Sequence, residues 1–185
     1  MVILLIVLAS PSLGPRTVPA TAPDPFVAAD DAAWARVRAE MPASVVVLRP
    51  TWIPAEFRGT GQAGCPSPQV AVQNADRTYV VSYFGSSFTP PNSGRSACTR
   101  LEFKTLKLAP EDSFYGVQLV DQQPLSSRGT SVRVRFGPRV VHANGAIHQL
   151  IYLNWTEAGI SYELNTLDVD LADLTRVLVG LQPMR

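Results

Sequence analysis

Apolar residues recur at helical spacing near the start of the chain. Phe26, Ala29, Ala33, Val37 and Met41 lie three or four positions apart and predict a helix from Pro25 to Glu40. Asp24 is placed to cap it and Pro25 to occupy its first turn, while Pro42 ends it. The other side is polar: Asp30, Asp31, Arg36, Arg38 and Glu40 run from acids to bases, the order that the helix dipole favours. Beyond it the period changes to two. Ser44 to Leu48 is a β-branched run, and Thr51-Trp52-Ile53 is bracketed by Pro50 and Pro54, which predicts an edge strand leading into an anchoring loop. Gln69 to Asn74 and Thr78 to Phe84 read as a hairpin turning at Asn74-Ala75-Asp76-Arg77. Tyr79, Val81 and Tyr83 share one face of the second strand.

Leu101 to Leu108 and Val117 to Val120 are further strand candidates. From Thr130 to Phe136, Val132, Val134 and Phe136 alternate with Arg133 and Arg135, a strand with one apolar and one charged face. Asn144-Gly145 marks a tight turn between Arg139 to Ala143 and Ala146 to Leu150. Ile151, Leu153 and Trp155 then alternate with Tyr152, Asn154 and Thr156. The chain turns at Glu157-Ala158-Gly159, and Ile160, Tyr162 and Leu164 continue the alternation. Asp170 caps a closing helix whose apolar stripe is Leu171, Leu174, Leu178 and Leu181. Together these elements predict an α+β domain: an antiparallel sheet of about six to eight strands, open to strong curvature, with an N-terminal and a C-terminal helix. Alternating strands require cover on one face only, and the two helices are expected to supply it.

Composition narrows this picture without naming an activity. The chain has 185 residues, 46% hydrophobic and 17% charged, enough for one filled core and too few for two ordinary domains. A formal net charge of +1 argues against nucleic acid as a partner, because such binders usually carry a large field of one sign. Val2 to Ala9 is an apolar run of signal-peptide length, far short of the roughly 20 residues that span a bilayer. No Lys or Arg precedes it, so residues 1–22 are expected to be either a signal peptide or a truncated membrane anchor. Either way, residues 23–185 are expected to form a single extracytoplasmic domain, secreted or tethered to the cell envelope. Arg16 to Pro25 reads as an extended Pro/Ala/Thr spacer. Cys65 and Cys98 sit in turn-rich surroundings without metal-ligand spacing, and in an oxidising compartment a disulfide between them is the expected fate.

Two stretches resemble a known family. Val45-Val46-Val47-Leu48-Arg49-Pro50-Thr51-Trp52-Ile53-Pro54-Ala55-Glu56-Phe57 is similar to the opening of the bacterial domain of unknown function 4367, an apolar strand followed by Pro, aromatic, aliphatic, Pro and aromatic. Trp155-Thr156-Glu157-Ala158-Gly159-Ile160-Ser161-Tyr162-Glu163-Leu164, with the helix after it, resembles that family's closing hairpin. The resemblance runs in order from Ser44 to Leu181 and implies an extracytoplasmic domain of the kind found in anti-sigma-factor-like or sporulation-linked proteins, with no established chemistry. The Cys65 to Cys98 segment departs from that pattern.

The residues themselves suggest binding rather than catalysis. There is no Gly-x-Ser-x-Gly elbow, no HExxH and no carboxylate pair that spacing forces together, so no catalytic residue is assigned and the chain is read as a non-enzyme. His142 and His148 are the only histidines. Two ligands make no closed site, so neither a metal nor another cofactor is expected. Arg128, Arg133, Arg135 and Arg139 form a candidate basic patch, against which stands a solvated sheet face neutralised by acids such as Glu163. Trp52, Tyr79, Tyr83, Tyr152, Trp155 and Tyr162 are candidate liners of a hydrophobic groove, although aromatics at strand spacing most often pack a core. The expectation is a sensor-like binding or interaction module for an unidentified protein. The alternative is a carrier or sensor of a hydrophobic small molecule or lipid held in a curved-sheet groove.

Overall fold

The computed structural model describes residues 24–58, 68–73, 78–88, 97–106, 113–114, 117–141, 147–167 and 169–184. The chain opens with helix α1, Pro25–Glu40, as the spacing predicts. The Asp24 carboxylate accepts the Phe26 amide hydrogen at 2.9 Å, satisfying one of the donors that a helix start leaves open. The buried stripe differs from the expected one in a consequential way. It contains Phe26, Asp30, Ala33, Trp34, Val37 and Met41, so Asp30 faces inward and Ala29 does not belong to the stripe. Positions 26, 30, 34, 37 and 41 keep the same helical phase, and Asp30 occupies an apolar slot because distant polar partners meet it there.

The predicted strand from Ser44 is shorter and later than expected. Val45 and Val47 are buried, but pairing begins only at β1, Leu48–Pro50. A single 3-10 turn, Ala55–Phe57, follows and buries Phe57. Then come β2 (Gln69–Gln73), β3 (Thr78–Phe88) and β4 (Ala97–Leu106), followed by β5 (Ser113–Phe114), β6 (Val117–Gln118), β7 (Val120–Asp121) and β8 (Leu125–Ser127). The long strands β9 (Thr130–Val141), β10 (Ile147–Glu157) and β11 (Ile160–Leu167) complete the sheet. Helix α2, Leu171–Val179, and β12, Leu181–Pro183, close the chain. Asp170 caps α2 by accepting from the Asp173 amide at 2.8 Å. Leu181 is buried but lies beyond the helix, in β12, which corrects the expected four-leucine stripe.

The main sheet has eight antiparallel strands in the order β2-β3-β4-β11-β10-β9-β7, with β8 also on β9, and it does not close. β1 pairs separately with β12, setting Arg49 opposite Gln182, and β5 pairs with β6. Two adjacent hairpins turn with positive φ at both central positions, Arg128-Gly129 and Ala158-Gly159. This backbone matches the right-handed twist of the strands it joins. The expected turns at residues 74–77 and 142–146 lie outside the described residues, as do Cys65 and His142. The flanking pairs Gln73↔Thr78 and Val141↔Ile147 are antiparallel. Between β9 and β10 the register slips by one residue near Gly137-Pro138. A bulge accommodates there both a proline without an N–H and a glycine whose added Cβ would stand 2.9 Å from the Leu150 Cβ.

One apolar core lies on a single face of the sheet, beneath both helices. Trp34 meets Tyr79 and Phe103 edge-on at centroid distances of 6.1 and 5.9 Å. The opposite face was expected to be solvated, and across the central strands it is not. Arg135, Asn154, Glu163 and Asn165 are all buried there, Arg135 and Glu163 to 1% exposure. They form a transverse polar ladder. Arg135 donates to Asn154 at 2.8 Å; Asn154 and Asn165 each donate to Glu163 at 2.9 Å; and the Lys104 ammonium stands 2.6 Å from the same carboxylate. Burial is tolerated because every one of these links runs between strands or along one strand, where the sheet fixes the separation.

Candidate ligand-binding cleft

At one edge of the core, α1, β1 with the Thr51-Trp52-Ile53 segment after it, Arg58 and β12 leave an open cleft of about 520 Å³. Its apolar wall includes Phe26, Trp52, Ile53 and Met184, and its charged groups are Asp30, Arg49 and Arg58. Pro50 and Pro183 sit in the two end pairs of the three-pair β1–β12 ribbon and contribute no amide donor to the rim. Thr51 ties the rim down, with its amide and its hydroxyl both donating to the Gly180 carbonyl, at 3.0 and 2.9 Å.

A chain of polar contacts runs from the core to this cleft. The Trp34 indole donates to the Tyr83 hydroxyl at 2.6 Å, and Tyr83 in turn donates to Asp30 Oδ1. Arg49 Nη2 donates to Asp30 Oδ2 at 2.6 Å and to Asp31 Oδ1 at 2.5 Å. Both Asp30 oxygens are therefore engaged, which explains how a carboxylate with 7% exposure is accommodated. Burial, reinforced by the Asp30 charge, pushes the Tyr83 phenol well above its ordinary pKa, so Tyr83 is a fixed donor at neutral pH. Burial works against the charge of Arg49, but the hydrogen bonds to Asp31 and Asp30 outweigh it and raise its pKa. The set is a locked strut.

The other cations of this region are held by rings instead of carboxylates. The Arg58 guanidinium lies over the Phe26 ring at 5.8 Å, and that of Arg176 over the Trp52 ring at 4.0 Å. Among the described residues neither makes an ion pair with a carboxylate. Arg58 is exposed and lines the cleft, so its N–H groups are available to an incoming anion.

The residues singled out from the sequence are distributed differently. Trp52 alone of the six aromatics lines this cleft. Tyr79, Tyr83, Trp155 and Tyr162 are buried in the core, and Tyr152 is buried on the other face, opposite Arg135. Tyr79, Trp155 and Tyr162 do border a shared void, but it holds only about 10 Å³, no more than a single water. The expected aromatic groove is thus filled, with Trp155 stacked on Tyr162 at 5.4 Å and Trp34 laid across the β3–β4 rings.

The basic patch is also dispersed. Arg128 grips Glu157 through two nitrogens at 2.9 and 3.0 Å and donates to the Leu181 carbonyl. Arg133 forks Asp121 at 2.7 Å, and Arg135 is in the buried ladder. Beyond the register slip, Arg139 pairs with Gln149 at the far end of β9. Cys98 is on β4 opposite Ser87, and His148 on β10 opposite Val140. Among the described residues no three His, Cys, Asp or Glu side chains gather as metal ligands.

Asp30, Arg49, Arg58 and Phe26, which build the charged side of the cleft, were not singled out as site residues. One signal did exist: Asp30 lies four residues from both Phe26 and Trp34, in phase with the apolar stripe. Comparison with known proteins found no match, whether to a family model, a curated protein or a solved structure. What the fold and site define is an α+β domain with a locked polar strut beside an open, mixed apolar and cationic cleft.

Proposed function

We propose that this chain is a non-enzymatic extracytoplasmic binding module, secreted or tethered through its N-terminus, whose receptor surface is the cleft between α1 and the β1–β12 ribbon. The carrying observation is the cleft itself, with the Trp52 ring on its wall and the Arg58 guanidinium free of any carboxylate among the described residues. The apolar run at residues 2–9, the two cysteines and the likeness to the domain 4367 pattern support the extracytoplasmic placement. The rigid strut beneath the cleft supports binding, because a preorganised wall reduces the ordering cost on association.

The alternative, a hydrophobic molecule held against the sheet, has less support among the described residues, where the void beside Tyr79, Trp155 and Tyr162 holds about 10 Å³ and only Trp52 lines the larger cleft. A thermal-shift screen of the purified chain against small amphiphiles and short peptides, repeated with Trp52→Leu and Arg58→Gln, tests the proposal. At least one ligand class should raise the midpoint of the unmodified protein and lose that effect in both variants. A screen without stabilisation, or stabilisation that both variants retain, would refute the cleft as the receptor surface.

A further inference from the structure

Charge and shape in the cleft narrow the ligand class. We infer that it takes an amphiphilic monocarboxylate, with the carboxylate on Arg58 and the apolar body along Trp52, Ile53 and Met184. This rests on the reading of the cleft as a binding site.

The argument begins with what is already occupied. Asp30 is bound at both oxygens, and Asp31 shares Arg49 with it. A cationic ligand would have to displace Arg49 from two carboxylates at 2.6 and 2.5 Å. Arg58 has no such competitor among the described residues. Its guanidinium carbon lies 5.8 Å from the Phe26 ring centroid and its side chain is exposed, and the N–H fork of a guanidinium matches the two oxygens of a carboxylate. A dianionic head would place a second negative charge in a cleft where Arg49 is already committed and Asp30 stands on the wall. A neutral head such as an alcohol accepts one hydrogen bond from Arg58, as it would from a glutamine in its place, and brings no charge to meet the guanidinium. The apolar side chains and the volume of about 520 Å³ suit a ligand of modest size.

The probes are decanoate, decanol and decyltrimethylammonium, each titrated below its aggregation limit into the full chain by calorimetry at low salt. Decanoate should bind about tenfold tighter than decanol, the lower end of what a charged hydrogen bond at an exposed guanidinium supplies. The ammonium should bind more weakly than either. Arg58→Gln should bring decanoate down to the level of decanol and leave decanol unchanged. Trp52→Leu should weaken both. Arg58 is exposed, and an unchanged melting midpoint in its variant would show that the fold is intact.

If all three probes bind equally in the unmodified protein, or if Arg58→Gln keeps the preference for decanoate, the carboxylate assignment is overturned while the cleft stands. If none binds, the assignment falls together with the cleft as a small-molecule site; stabilisation by peptides in the thermal-shift screen would then keep the binding module alone.

Discussion

Lys104 and Glu163 should differ sharply in what their loss costs, although they form one ion pair. The Glu163 side chain is 0% exposed and Lys104 11%, and their charged atoms are 2.6 Å apart across β4 and β11. Replacing Lys104 by Met leaves a buried carboxylate supported only by the Asn154 and Asn165 amides. Removing one partner of a buried pair typically costs about 3–5 kcal/mol, and the two remaining donors place this case near 3 kcal/mol. Replacing Glu163 by Gln leaves an ammonium at the edge of solvent, which a small rotation brings into water. It also sets an amide NH₂ against one of two asparagine donors, for a cost of about 1–2 kcal/mol. The double variant should recover part of the Lys104→Met loss, giving a coupling of at least about 1 kcal/mol. Urea denaturation followed by tryptophan fluorescence measures all three, and the Lys104→Met change corresponds to roughly 6–12 °C in melting midpoint for a domain of this size. If Lys104→Met costs no more than Glu163→Gln, or the two effects simply add, the ladder is not the buried, mutually supporting network described above.

Further outcomes follow from the same geometry. The Arg128 guanidinium, hydrogen-bonded to Glu157, holds that carboxyl below its ordinary value of 4.5. Its contribution is therefore present above that pH and lost as pH falls through the depressed native value; Glu157→Gln should flatten this part of the acid limb in pH-dependent urea melts, and an unchanged limb would dismiss it. Burial raises Tyr162 to about 12, and pushes Tyr79 and Tyr83 up as well. Their contribution is complete below pH 10 and lost as pH rises through the native values, so tyrosinate absorbance should rise together with the loss of far-UV dichroism; ionisation of all tyrosines near pH 10 in a still-folded protein would contradict this. If Cys65 and Cys98 are joined, thiol titration in denaturant should find no free thiol before reduction, and reduction should cost about 3–4 kcal/mol in the chain-entropy model. Ala158 holds φ at 52° in the β10–β11 turn, so Ala158→Gly should be neutral or stabilise by up to about 1 kcal/mol in the same denaturation assay, and a loss of that size would contradict it.

The sequence reveals those parts of the fold whose cause is local. Helix α1 is legible because its cap, its first-turn proline and its apolar phase all lie within eighteen residues. The β10–β11 hairpin is legible because alternation on both arms converges on Ala158-Gly159. Alternation, however, reports only that two faces differ. It does not say that the polar one is wet. Burial of Glu163 depends on Lys104, Asn154, Asn165 and, through Asn154, Arg135, drawn from four strands whose order no local pattern reveals. The groove reading met the same difficulty: alternation correctly put Tyr79 and Tyr83 on one face, but whether that face is empty or filled depends on Trp34, which is at least 45 residues away in sequence.

Asp30 shows most clearly why the cleft escaped a sequence reading. A carboxylate in an apolar phase is ordinarily assigned to solvent, and only a hydroxyl from β3 and a guanidinium from β1 reverse that assignment. Those same contacts occupy both Asp30 oxygens, and among the described residues they leave Arg58, over the Phe26 ring, as the cation of the cleft without a carboxylate partner. The contacts that hid the site are therefore also the ones from which the proposed preference is argued. With Asp30 exposed and unpaired the cleft would favour cations. With Asp30 bound to Tyr83 and Arg49, the cleft presents an apolar wall and the Arg58 guanidinium, the two surfaces on which the proposed anionic amphiphile would rest.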